Sequence, residues 1–270
     1  MKRQLRWKRL ILILVLVLFC ASAWAQDTEE NSGVTNTGVF NLGQVVVQGK
    51  GETITQVTTV DTVDQSKIEL IGTDNVTESI DSVAGVYISE GSKGAKNFTI
   101  RGFNQRYVPM FYDGIPIYLP FEGSVDAGEL PVGNLSQITI TKGIASVLYG
   151  PNTMGGVINI VSLKPTKPFQ ADYKIYADSD EMKSFNINMG SRLDKYYFTL
   201  NFGHKETNSY SLSEDFVTTP NIPTHDMPNS DFSQTSMSFK AGLVPKEGHE
   251  YALGYSMVTD DKGLPLTAYG

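Results

Sequence analysis

Few residue groupings in this chain have the types and spacing to do chemistry. Residues 91–96, Gly-Ser-Lys-Gly-Ala-Lys, could wrap an anion, but they lack the G-x-x-x-x-G-K-[ST] order and read instead as a turn before a strand at residues 98–101. His204, His225 and His249 are scattered, and neither H-E-x-x-H nor G-x-S-x-G occurs. His225 and Asp226 read as a solvated pair in a polar loop, so no catalytic residue, metal site or cofactor is assigned. A different chemistry is available at residues 40–49, where Val45, Val46 and Val47 stand between Gln44 and Gln48. β-Branched residues favour extended backbone, whose free N–H and C=O groups can join the edge of a partner's sheet. The same composition suits the first strand of the following domain, and residues 52–55 repeat it.

The N-terminus supplies an address. Lys2, Arg3, Arg6, Lys8 and Arg9 precede an apolar run at residues 10–20 and then Ala23-Trp24-Ala25, the order of a secretory signal peptide over residues 1–25. The run is too short to cross about 30 Å of hydrocarbon as a helix. Cys20, the only cysteine, leaves with that peptide, so the mature chain forms no disulfide and no thiolate site. Phe19 occupies a place where a lipidated cysteine would be preceded by a small residue. The five basic residues leave too, taking the net charge from −7 to −12 and arguing against nucleic acid as a partner. About 245 residues remain, enough for one or two domains. None of their apolar runs is long enough for a spanning helix, so entry into a membrane would be as a β-barrel or with help.

The elements that must position any site follow in order. Residues 26–41 are polar at the start and too few to bury a core, and read as a disordered segment. Residues 56–63 read as a strand and residues 64–82 as a helical region, with Ile68, Ile71, Val76, Ile80 and Val83 on one face and a helix start near Asn75. A strand follows at residues 85–88. Asp113-Gly114 between apolar residues predicts a β-hairpin over residues 108–118. Ile138 and Ile140 alternate with Thr139 and Thr141, Lys142-Gly143 ends that strand, and residues 144–149 make a helical turn. Gly150-Pro151 and Gly155-Gly156 bracket a tight loop before a strand at residues 157–161. Short strands with dense glycines imply a compact α+β module.

After Pro165 the texture changes to strict period-2 alternation. It holds in five segments, carried by Tyr173 and Ile175, by Phe185 and Ile187, by Phe198 and Phe202, by Met237 and Phe239, and by Leu253 and Tyr255. The connections at residues 191–195 and 244–250 are short, while that at residues 205–231 is long and polar, as in an outer-membrane barrel. A soluble sandwich also gives alternating strands.

Leu135-Ser136-Gln137-Ile138 through Lys142-Gly143, then residues 145–150, Ala-Ser-Val-Leu-Tyr-Gly, then residues 154–160, Met-Gly-Gly-Val-Ile-Asn-Ile, resemble the plug signature of TonB-dependent outer-membrane receptors. Arg101-Gly102-Phe103 and Asp113-Gly114-Ile115-Pro116 resemble two motifs upstream of it. The resemblance implies an α+β plug domain followed by the first antiparallel strands of a transmembrane β-barrel. It also implies a bacterial outer-membrane location, TonB as partner, and a small-molecule ligand such as a ferric siderophore, haem, cobalamin or a glycan. Carried onto this chain, it places the TonB box at Gln44, Val45, Val46, Val47 and Gln48, with residues 52–55 second. It places ligand-facing positions at Tyr107, Tyr112, Tyr118, Phe121 and Glu122, around the hairpin tip. Arg101 and Lys142 become plug–barrel contacts, Arg101 pairing with wall carboxylates, and Gly114, Gly143, Gly150, Gly155 and Gly156 become structural turns. The expected boundaries are 42–55 for the box region, 56–164 for the plug and 165–270 for the start of the barrel.

Two departures from the family pattern stand out. Lys142-Gly143-Ile144 replaces Arg followed by Gly-Pro, exchanging a bidentate guanidinium for a single ammonium. The family's barrels have about 22 strands, against about five here, which leaves open edges that hydrocarbon does not tolerate. A truncated or partial receptor is therefore expected. The alternative is an isolated periplasmic plug that pairs with TonB without transport.

Overall fold

A computed structural model describes residues 59–91, 94–143, 149–177, 182–246 and 248–265. The signal peptide, the polar segment, both box candidates and residues 144–148 of the helical turn lie outside the described residues.

The first module is built on a five-stranded sheet of β1 (Thr59–Asp64), β5 (Met110–Tyr112), β6 (Ile115–Ile117), β7 (Leu135–Lys142) and β8 (Gly156–Ser162), in the order β1-β7-β8-β5-β6. All seven residues of β8 are buried, which suits a central strand covered on both faces, and β8 pairs antiparallel with β7 and parallel with β5. β2 (Val86–Glu90), β3 (Lys96–Ile100) and β4 (Phe103–Asn104) form a second, antiparallel sheet. One apolar cluster joins Val63 of β1, Ile80, Phe98 and Ile100 to Ile138, Ile140, Ile158 and Ile160 of the main sheet.

The expected single helical region is two short helices, α1 (Gln65–Ile71) and α2 (Val76–Asp81). Gly72 at φ 73° caps α1 and turns the chain out of the helix, so a common apolar face over residues 68–83 conceals a break. Asn75 caps α2 through the Glu78 N–H at 3.0 Å, as the sequence predicts. β3 ends at Ile100 rather than at Arg101, because Arg101 at φ 50° and Gly102 at φ 86° reverse the chain into β4.

The five alternating segments are β9 (Gln170–Ala177), β10 (Lys183–Arg192), β11 (Tyr196–Thr207), β12 (Phe232–Lys246) and β13 (His249–Lys262), each antiparallel to the next. β11 and β12 run further than expected, leaving a loop of residues 208–231 and tight short turns. Cross-strand register aligns Tyr173, Ile187, Phe202, Met237 and Met257 in one row on the exposed face. The neighbouring row, Asp172, Asn188, Asn201, Ser238 and Ser256, faces inward. Apolar outward and polar inward is the pattern of a wall that meets lipid outside.

Gly156 at φ 138° fixes the start of β8, and a Cβ there would strike the Thr141 carbonyl oxygen. Gly114, at φ 81°, has open space around it. Gly156→Ala is therefore expected to cost about 3 kcal/mol and Gly114→Ala about 1 kcal/mol. Urea midpoints followed by circular dichroism check this, and equal losses would contradict it.

Candidate functional site

The contacts between the α+β module and the wall begin at the hairpin tip. Asp113, at φ 50°, pairs with Gly114 in the two-residue turn between β5 and β6, and its carboxylate points at the wall. It accepts the Ser162 N–H at 2.9 Å and the Ser162 hydroxyl at 2.7 Å, and Lys240 Nζ of β12 lies 2.8 Å away. Lys240 Nζ also donates to Ser162 Oγ at 3.2 Å, so hairpin, end of β8 and wall meet at one point. Two residues on, Lys164 Nζ binds Glu250 of β13 at 2.7 Å, and the buried Tyr197 hydroxyl donates to the same carboxylate. Gly242 makes room for the Tyr197 ring.

Three further wall lysines repeat the arrangement. Lys174 pairs with Glu69 at 2.7 Å, Lys205 with Asp74 at 3.0 Å and Lys262 with Asp126 at 3.2 Å. Carboxamides fill the space between these pairs. Asn188 donates to the Gly133 carbonyl and to Asp172, both at 2.8 Å, Asn201 donates to Asn188 at 2.7 Å, and Asn134 donates to Ser238 at 3.0 Å. A cleft of about 520 Å³ remains in this seam, bounded by Tyr112, Asp113, Asn134, Lys240 and Glu250.

Residues 52–157 match the family model of the TonB-dependent receptor plug domain. The chain carries a TonB-dependent receptor plug. Solved structures share its fold. The siderophore receptor PirA from Acinetobacter baumannii is 19% identical, with 77% of this chain and 32% of that one covered and a TM-score of 0.59. The pyoverdine outer membrane receptor FpvA from Pseudomonas aeruginosa is 15% identical, with 76% and 28% covered and a TM-score of 0.60. The FrpB iron transporter from Neisseria meningitidis is 13% identical, with 74% and 31% covered and a TM-score of 0.63. The chain thus spans about a third or less of the length of each.

The plug's expected site residues divide into three groups. Tyr107, Tyr118, Phe121 and Glu122 are exposed, Phe121 almost completely. Tyr112 is turned into the seam, where Asn134 donates to its hydroxyl at 2.9 Å and burial, with Asp113 beside it, pushes its ionisation well up. The five do not gather around the hairpin tip, because the tip is held by Lys240 and residues 118–122 follow at the hairpin's open end. Arg101 donates to Thr59 Oγ1 at 2.9 Å and to the Lys142 carbonyl at 3.4 Å. Lys142, buried, pairs with Asp61 at 2.6 Å and donates to the Ala84 carbonyl at 2.8 Å. Both bonds of each therefore run within the plug, at the far end of β7 from the Asn134–Ser238 contact. Gly114, Gly143, Gly150 and Gly156 sit at positive φ, and Gly155 is crowded by Phe103 and Val108.

The resemblance implies a plug arginine against wall carboxylates; among the described residues Lys164 with Glu250 has that sense, with lysine in place of arginine, and four other pairs across the seam run the other way, wall lysine to plug carboxylate. Their only sequence signal is position, since Lys174, Lys205, Lys240 and Lys262 all stand on inward-facing steps of the alternation.

Glu129 sits beside this network. Burial, with Asp126 and Asp260 nearby, pushes its carboxyl above the usual carboxylate range, and Lys262 at 3.8 Å offsets that incompletely. Protonated Glu129 contributes stability that is fully present below its unfolded-state pKa and lost as pH rises through the folded-state value. Glu129→Gln, which mimics the protonated form, is expected to raise the thermal midpoint at neutral pH and to lose that advantage in acid. A gain independent of pH would contradict the assignment.

Proposed function

We propose that these residues form the plug and first wall strands of an outer-membrane receptor that takes up a scarce ligand, of the ferric siderophore class, using energy delivered by TonB. The observation that carries this reading is a plug module seated against five strands whose inner face is polar and whose outer face is apolar. A free periplasmic module would have no use for an apolar row across five strands, which favours the wall reading over the isolated plug. No catalytic role is assigned. Similar folds include siderophore receptors, an iron transporter and a copper transporter, which supports metal-linked cargo as the class to test first.

Residues 44–48 are assigned as the TonB box, with residues 52–55 second, and residues 1–25 as the export signal. Both box candidates lie N-terminal to β1 in the sequence, so a pull on either would reach the plug sheet at its edge strand. Tyr107, Tyr118, Phe121 and Glu122 are assigned to ligand contact: aromatic faces bind planar or apolar parts of a chelate, and a carboxylate takes a donor.

In cells carrying the receptor that contains these residues, deleting residues 44–48 is expected to lower energised uptake of a ferric siderophore at least about tenfold while surface binding persists. Replacing residues 118–122 with Gly-Ser is expected to abolish binding itself. Uptake that survives loss of both box candidates overturns the TonB assignment. Binding that survives the replacement overturns the ligand face. A panel of siderophores, haem, cobalamin and glycans identifies the cargo.

A further inference from the structure

The wall has two electrically different ends. The loop of residues 208–231 carries Glu214, Asp215, Asp226 and Asp231 and no lysine or arginine. The opposite end is made of the approach to β9 and the tight β10–β11 and β12–β13 turns, and it carries Lys167, Lys195 and Lys246, all exposed, in a chain whose net charge is −7. None of the three forms an ion pair among the described residues. The main chain stitches them into one edge: the Arg192 N–H donates to the Lys167 carbonyl at 2.9 Å and the Val244 N–H to the Lys195 carbonyl at 2.7 Å. From β9 across to β12 that edge is roughly 15 Å wide. The outer row next to it is Tyr196, Leu243 and Tyr251, aligned by register. Both tyrosines are exposed, as are Phe169 and Leu193 beside the turns.

We propose that the short-turn end of the wall is a docking band for anionic phospholipid headgroups of the phosphatidylglycerol type. Tyrosine and phenylalanine rings settle at the boundary between hydrocarbon and water, so the aromatic row fixes this edge at the depth of the lipid phosphates. A lysine at that depth lays its stem along the apolar surface and extends its ammonium to the headgroups. A zwitterionic headgroup brings its own cation beside each phosphate and gains little from three unpaired ammoniums. A headgroup of net negative charge gains from each of them. The acidic loop at the other end repels the same headgroup, so the charge pattern also orients the wall. Free phosphate would satisfy the lysines but make no use of the aromatic row, which favours a lipid as the occupant. This inference rests on the wall reading given under the proposed function.

The receptor that contains these residues, reconstituted in phosphatidylcholine vesicles, provides the test. Trace phosphatidylglycerol or phosphatidylcholine with a diazirine in the same acyl chain is photolysed, and labelled peptides are mapped by mass spectrometry. The phosphatidylglycerol probe is expected to label residues 193–196 about tenfold more than the phosphatidylcholine probe. The triple variant Lys167→Gln, Lys195→Gln and Lys246→Gln is expected to bring the two probes level. Lys183→Gln, at the other end of the wall, is expected to leave the preference unchanged. Equal labelling by both probes in the native protein overturns the band, and so does a preference that survives the triple variant. A preference lost equally in Lys183→Gln overturns it as well, because the effect is then one of net charge. Inorganic phosphate that abolishes the preference at constant ionic strength overturns the assignment to lipid. Labelling by neither probe overturns the wall reading and the band together, whereas equal labelling leaves the wall reading standing.

Discussion

An ammonium brought against a carboxylate in a seam that excludes most water must keep its partner, since either ion alone is far more costly there than in solution. Among the described residues five ion pairs join the plug to its wall, Lys164 with Glu250 and four in which the lysine stands on the wall. Lys174, Lys205, Lys240 and Lys262 take Glu69, Asp74, Asp113 and Asp126, and the order along the wall strands follows the order along the plug. A one-residue slip of β9, β11, β12 or β13 would turn its lysine to the outer face and its apolar row inward. The pairs and the alternation therefore specify the same register. The most exposed pair, Lys174 with Glu69, contributes little by itself, while Lys240 with Asp113, more enclosed and joined by Ser162, carries most of the definition.

Glycine has a second part in that fit. Gly133 and Gly203 lie so close to Asn186 that a Cβ on either would collide with its side chain, so the amide-lined inner face meets the plug at near backbone distance. This is why carboxamides suffice there: at such range one Asn can reach a main-chain carbonyl and a neighbouring side chain at once, as Asn188 does.

Period-2 alternation was the most legible part of the chain, because an apolar outer face and a polar seam inside impose opposite demands on successive residues. All five wall strands could be read this way, the 110–117 hairpin from its Asp113–Gly114 turn, the α2 start from Asn75, and the β7–β8 connection from its glycines. The break at Gly72 could not, since both helices share one apolar face. Nor could the ion pairs, because Asp113 and Lys240 are 127 residues apart and nothing local in either strand names the other. Arg101, which the family pattern sets against wall carboxylates, bonds Thr59 and Lys142 among the described residues and so braces β1 against β7.

That brace has a mechanical side. β1 is an edge strand with β7 as its neighbour, and its first residue, Thr59, sits opposite Lys142. Tension entering from the N-terminal side loads the Thr59 pair first, and Asp61, bound to Lys142, is only two residues further in. Bonds that open in series yield at low force, one rung at a time, whereas the ion pair ties the first rungs into a block that must yield together. Once it does, six residues are released, about 20 Å of chain at full extension. The plug sheet is thereby graded like a seam with a reinforced first stitch, rigid under small loads and compliant beyond a threshold set by one lysine.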